Sequence, residues 1–477
     1  MGGGQNAMDR SISSGGRMIV GLAIAGCLFA AVTPGPTRSR ADDHAGLPVV
    51  RAVGDGEADD TAAIQAAADA GMGDLRFRRG TYRLTKTIDI DLDRVGPTSI
   101  HGGGVARFVM EAEGPAFRFR GTHRGTAAPA TFEENVWDRQ RTPMVDGIEI
   151  VGGHEGASGV EASGTMQLTI TRLVVRKALH GIHLVDRNRN VTIGECHLYH
   201  NRGIGVFLDR LNLHQINIAN CHISYNAGGG VVARQSEIRN LQIGTSDIEG
   251  NLGGPDSEPT ANVWLDSTDS SIGEVAIVGC TIQHDHVSPD SANIRIDGRS
   301  AERAFTDERR HGNVTIANNV LSDVHYNLDI RNVRGIAITG NTMWKGYTAN
   351  VSLAGCGQVV MTGNVMDRNP RYHYGDGADA NNGVILTDCQ DCTLSANHSH
   401  GVVHGEAAVV LRNCSRVNLT GWSILDYGGC GLYLDNVSHS RVSDCIIRDD
   451  RPGATGRSIR MRGVTGSMQQ HNLLDDD

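Results

Sequence analysis

The chain has 477 residues, a formal charge of −10, 61 glycines and 12 prolines, and is 39% hydrophobic but only 4% aromatic. Such a balance suits a globular chain with many turns, its core built from stacked aliphatic side chains rather than arranged as a conventional sandwich. The acidic charge, with no cluster of Lys and Arg, excludes a nucleic-acid footprint and means that an acidic polymer would need a local basic site.

Arg10 and Arg17 precede the apolar run MIVGLAIAGCLFAAV, and Ser39-Arg40-Ala41 offers small residues for cleavage after Ala41. Residues 1–41 therefore read as an export signal, directing the chain to the periplasm, the cell surface or the medium. At about 15 residues the run is short for a stable membrane span. IAGC, ending at Cys27, is similar to a bacterial lipoprotein box, although apolar residues continue past the cysteine; lipidation there stays an open alternative.

Residues 42–144 read as an N-terminal cap followed by the first coils of a repeat. In GDGEADDTAAIQAAADAG, residues 54–71, Asp59 or Asp60 can cap a helix TAAIQAAADA that Gly71 ends, its Ala/Ile face covering the end of a core. Asp55, Asp59 and Asp60 are read as capping groups rather than as a catalytic or metal cluster. DLRFRRGTYRLTKTIDI then supplies two strands around a turn at Gly80.

From 145 to 465 the chain repeats with a period of about 22 to 25 residues, in rows such as VTIGECHLYHNRGIGVFLD, INIANCHISYNAGGGVVAR and IAITGNTMWKGYTANVSL. Each row holds a short alternating strand, a turn residue, a second short strand, a polar loop and a third strand, with no helical pattern between. Three strands per coil predict an all-β fold, a parallel β-helix of about eleven to twelve coils, in which each strand pairs with its counterparts one coil above and below. The turn column descends as Leu173, Cys196, Cys221, Ser246, Cys280, Asn319, Asn341, Asn364, Asn397, Trp422 and Cys445. With neighbours roughly 4.8 Å apart, its asparagines can form an amide ladder and its cysteines serve as small core fillers rather than disulfides. Cys389 and Cys392, in CQDC, are likewise read as structural. Residues 466–477 form a polar tail.

At the GDGEADDTAAIQAA segment the chain resembles the pectate-lyase superfamily of right-handed parallel β-helix proteins, in the branch with an N-terminal GDGxxDDTxAIQxA segment. That branch includes polygalacturonase-like hydrolases, exo-glucanases, rhamnogalacturonan-degrading enzymes and phage tailspikes, some of which trimerise, so the resemblance implies a carbohydrate partner and leaves a homo-oligomer open. The NTD, DD, GHG and RIK segments of the polygalacturonase-like hydrolases do not occur in that order, the DD pairs standing at 42, 59, 449 and the extreme C-terminus, and the DPH of the alginate epimerases is missing, so no catalytic residue transfers.

Four residues past the turn column stand Lys177, His200, Tyr225, Gly250, His284, Asp323, Lys345, Arg368, Gly401, Asp426 and Asp449. At one strand spacing this is an ionisable stripe suited to an extended saccharide, with Tyr199, Tyr225, Trp344, Tyr347, Tyr372 and Tyr374 as stacking faces. Insertions at 250–261, 299–312 and 367–383 favour function over a plain solvated edge. Lys345, one of only three lysines, sits where the chemistry is densest.

β-Elimination of a uronic-acid polymer needs a base, a cation on the carboxylate and an acid. Lys345, Arg368 or Arg371, and His325, Tyr326 or Tyr374 are the candidates, with Asp323 and His284 beside them and Trp344, Tyr347, Tyr372, His373, His200, Tyr225 and His286 as substrate contacts. A polysaccharide lyase is thus the first reading. The alternatives are a glycoside hydrolase using Asp323 and Asp367, backed by Asp285 and Glu406, and a non-catalytic glycan-binding or surface-structural module. A metal at His284-Asp285-His286 or His398-Ser399-His400, or calcium on Asp285, Asp290 or Asp323, is the remaining alternative.

Overall fold

A computed structural model describes residues 49–125, 128–268, 270–298, 311–369 and 375–475. The export segment with Cys27 lies outside them, as do Arg371, Tyr372, His373 and Tyr374. All the strands join one sheet by parallel pairing, each to its counterpart in the next coil, which makes the chain an all-β parallel solenoid. Among the described residues, no helix is long and apolar enough to cross a membrane.

The helix Thr61–Asp69 covers the N-terminal end, with Ile64 and Ala68 buried. Asp59 accepts the Thr61 amide (3.0 Å) and the Thr85 hydroxyl (2.7 Å), and the Thr61 hydroxyl, the Thr85 hydroxyl and the Thr61 amide together hold its carboxyl down at about 2. Asp60 precedes the helix, but its carboxylate accepts the Val53 and Gly54 amides instead of a helical one. Asp55 accepts the Glu57 and Ala58 amides, so all three carboxylates bind backbone.

Each coil turns its corners on single residues with positive φ. The corner between second and third strands holds Lys177, His200, Tyr225, Gly250, His284, Asp323, Lys345, Gly401 and Asp426, with φ from 48° to 74°. The ionisable stripe of the sequence is therefore first a structural corner, where a left-handed residue turns the chain. Asparagine amides then tie the coils together. Asn319 Nδ2 donates to Asn341 Oδ1 (3.0 Å), Asn341 to Asn364 (2.9 Å) and Asn364 to Asn397 (2.9 Å), all buried.

A second ladder runs through Asn201, Asn226, Asn251, Asn262, Asn293, Asn327 and Asn350, each Nδ2 donating to the next Oδ1 at 2.7–3.0 Å. Asn251 and Asn262 belong to one coil, so their bond clamps the base of the insertion at 250–261. The cysteines among the described residues are buried and free, those of the turn column sitting as expected in the core. Pairing continues into the polar tail, where Met468–Gln470 and Leu473–Leu474 add to strands one coil earlier, because Asn472 and Asp475 satisfy the Cys445 and Asp449 amides.

Candidate functional site

The stripe and the outer face of the third strand meet around residues 284–297 and 323–348. Asp323 and Lys345 occupy the same corner in successive coils, and Lys345 Nζ lies 2.9 Å from Asp323 Oδ1 with side-chain exposures of 9% and 17%. Beside them the His286 and Tyr347 rings stack with centroids 3.9 Å apart. His325 Nδ1 contacts Thr348 Oγ1 at 3.2 Å, and burial holds its imidazole below the ordinary value. Burial, then the charges of Asp290 and Asp329, raise the Tyr326 phenol, which keeps its proton at neutral pH.

Tyr326 lies in the strand Val320–Arg331, whose outer face borders a cleft of about 340 Å³, lined also by Trp264, Asp266, Asp290, Asp297 and Arg331. Its floor is a charge cluster: Arg295 Nε lies 2.9 Å from Asp329 Oδ2, Arg331 Nη2 lies 3.2 Å from the same oxygen, and Asp329 is 1% exposed. Arg295 also stacks over the Trp264 ring (5.3 Å) and donates to the Asp290 carbonyl (2.5 Å), fixing the loop that carries that carboxylate. Parallel register sets Asp266 opposite Asp297 and Trp264 opposite Arg295, one strand spacing apart.

The remaining predicted residues are dispersed. Arg368 donates to the carbonyls of Gly401 (2.5 Å), Gly377 (3.2 Å), Ala378 (3.0 Å) and Ala380, so its guanidinium staples the chain at 377–380. His200 and Tyr225 stack at 5.2 Å in earlier coils, away from the cleft. The His284 carbonyl accepts the Gly250 amide (3.1 Å), and Trp344 offers its carbonyl to Asn327 (3.0 Å). Among the hydrolase candidates, Asp367 contacts His400 Nδ1 (2.9 Å), whose Nε2 reaches Asp426 (3.1 Å), while Glu406 pairs with Arg412 and with Arg460 (3.0 Å). Sequence reasoning passed over Trp264, Asp266, Arg295, Asp297, Asp329 and Arg331. The signal was in NVWLD, NIRID and NLDIR, whose outward positions carry charge or an aromatic ring where a plain strand would carry Ser or Thr.

The family model described as right handed beta helix region matches residues 128–248. This chain is a right-handed parallel β-helix. A second model, the periplasmic copper-binding protein (NosD), matches residues 276–462 of the helix. Among solved structures it is similar to tailspike protein 3 of bacteriophage CBA120, at 16% identity and TM-score 0.52, covering 87% of this chain and 59% of that one. The tailspike of E. coli bacteriophage HK620, described in complex with a hexasaccharide, is 10% identical with TM-score 0.50, covering 87% of this chain and 76% of its own. The A-module of the Azotobacter vinelandii mannuronan C-5 epimerase AlgE4 is 13% identical with TM-score 0.48, covering 89% and 97%. The β-helix thus spans 59% of the length of the first of these tailspikes. No curated protein matches the chain.

Proposed function

We propose that this β-helix is exported and hydrolyses a polysaccharide in the cleft between Trp264 and Tyr326. The observation that carries the reading is the in-register pair Asp266 and Asp297, with Asp290 on the facing loop and the Trp264 ring as a ledge. Glycoside hydrolysis needs one carboxyl group to protonate the leaving oxygen and another to attack carbon or activate water, and retaining enzymes hold the two roughly 5 Å apart. Adjacent coils supply carboxylates at about that spacing. The ledge suits the apolar face of a sugar ring.

Electrostatics favours a neutral glycan. Asp266, Asp290, Asp297 and Asp329 outnumber Arg295 and Arg331, whose guanidinium groups already pair with Asp329. β-Elimination on a uronate would rely on a cation facing the substrate, whereas Lys345 is paired with Asp323 and Arg368 with backbone carbonyls. One observation keeps elimination as a second reading: His325, its imidazole kept neutral by burial, and the proton-bearing Tyr326 both reach the Thr348 side chain, which brings a base and an acid to one group. Among the described residues, the copper in the name of the family matching residues 276–462 finds no fitting donors. Among the described residues no three His, Cys, Asp or Glu side chains converge, and burial pushes the thiols of Cys280, Cys430 and Cys445 up and that of Cys392 to about 12.

The test is digestion of a panel of neutral and uronic-acid polysaccharides, followed both by reducing ends and by the ultraviolet absorbance of a conjugated unsaturated product. Hydrolysis gives new reducing ends without that absorbance, abolished in Asp297→Asn. Absorbance rising with the reducing ends replaces it with elimination. Saturable glycan binding with neither signal leaves a binding module and overturns both.

A further inference from the structure

At the corner between third and first strands, far along the coil from the second-to-third corner, the β-helix carries a second cleft of about 570 Å³. Arg187 lines it and is only 8% exposed. Its Nη1 donates to Asn212 Oδ1, while Nε and Nη2, both buried, have no hydrogen-bond partner among the described residues. Arg189, 7% exposed, lies two residues on with its guanidinium 4.7 Å over the Phe132 ring. Burial lowers the pKa of both arginines, with the charge of Glu237 opposing it at Arg187 and the charge of Arg187 adding to it at Arg189.

A desolvated guanidinium with two N–H donors left unbonded is costly even with a carboxylate nearby, and proteins retain one where something occupies its free donors. The carboxylates of the cleft do not do so. Glu237 is engaged by Arg239 at 3.8 Å and by the Asn212 amide at 3.4 Å, and no ion pair joins Glu237 or Glu274 to Arg187. Arg124 and Arg239 stand at the mouth, so positive charge exceeds negative.

We propose that this cleft binds an oxyanion, with Arg187 as the inner donor and Arg124 and Arg239 at the rim. The fork of Nε and Nη2 matches two oxygens of a carboxylate, sulfate or phosphate group. The volume exceeds what an inorganic anion fills, which favours the carboxylate of an acidic sugar. This site is independent of the polysaccharide cleft and of the hydrolase reading.

The experiment is thermal unfolding of the full chain titrated with glucuronate, sulfate, phosphate and glucose, against chloride at matched ionic strength. A saturable rise in Tm with glucuronate alone identifies an acidic sugar, while an equal rise with sulfate or phosphate identifies a free inorganic anion; either supports the site. Arg187→Gln is expected to weaken the anion at least about tenfold while raising the anion-free Tm, since it removes a buried charge whose Nε and Nη2 donors are unbonded. If that variant fails to fold, the rim double variant Arg124→Gln/Arg239→Gln is expected to weaken binding instead. No saturable rise with any anion, an equal response to glucose, or a wild-type response in the variants overturns the proposal.

Discussion

Lys345 and Asp323 form an ion pair across two coils, Nζ to Oδ1 at 2.9 Å, at the corner where both backbones are left-handed. The pair is mostly buried, so removing one partner takes from the other its opposite charge at 2.9 Å. Lys345→Met and Asp323→Asn are each expected to cost about 3 kcal/mol in urea unfolding, and Lys345→Met/Asp323→Asn to cost clearly less than the sum of the two. A double variant as unstable as the sum of the singles would show that the two charges are not coupled.

The Asn341 side chain makes four ladder bonds: it accepts from the Asn319 amide and side chain, both at 3.0 Å, and donates to the Ile316 carbonyl (3.0 Å) and to Asn364 (2.9 Å). Each buried group left unpaired costs about 1–3 kcal/mol. Asn341→Leu should therefore be the worst substitution and Asn341→Ala next. Asn341→Cys should be the mildest, because Cys196, Cys221 and Cys280 fill that column and their thiols lie against carbonyls, as Cys221 Sγ does 3.2 Å from Ala219. Chemical denaturation midpoints test the ranking, and a cysteine variant no better than alanine refutes it.

Burial, then the charge of His183, hold the His180 imidazole near 4 against the ordinary 6.5, with Asp209 opposing and Arg234 reinforcing. Between those pH values the unfolded chain binds a proton that the folded chain does not, so stability falls as pH drops from about 6.5 to about 4 and the loss then levels off. The shift corresponds to about 3 kcal/mol. The imidazole Nδ1 accepts the Ile204 amide at 3.1 Å, a role that the Asn oxygen can take over. His180→Asn should thus flatten the fall of the urea midpoint between pH 7 and pH 4, and an unchanged slope would assign the acid sensitivity elsewhere.

The corners and the first amide ladder were readable because each repeats one residue class at a fixed offset. Asn319, Asn341, Asn364 and Asn397 stand in one column whatever the loops do. The second ladder escaped because the insertion between Asn251 and Asn262 shifts its offset within a single coil. The cleft escaped for another reason. Trp264, Arg295 and Asp329 share one outward position but differ in type, so they form no pattern along the chain, and only the parallel register and the Arg295 bond to the Asp290 carbonyl bring them to one place. The ionisable stripe, by contrast, was legible as a column but not as a corner, because φ is invisible in residue names.

Tyr326 separates the two chemistries of the cleft. Its phenol is raised by burial, then by Asp290 and Asp329, so at neutral pH it is a proton donor and not a base. In hydrolysis by Asp266 and Asp297 it lines the sugar site, and Tyr326→Phe should lower kcat/KM by about tenfold or less, mostly through KM. In elimination it delivers the proton to the leaving oxygen, and the same change should lower kcat by 10²–10⁴, roughly the worth of a general acid, with KM little altered. Asp297→Asn reverses the ranking, because a carboxylate that attacks or activates water is indispensable to hydrolysis and peripheral to elimination. Steady-state kinetics of the two variants on one substrate therefore decides between the chemistries, and a large kcat loss confined to Tyr326→Phe would reject the carboxylate pair.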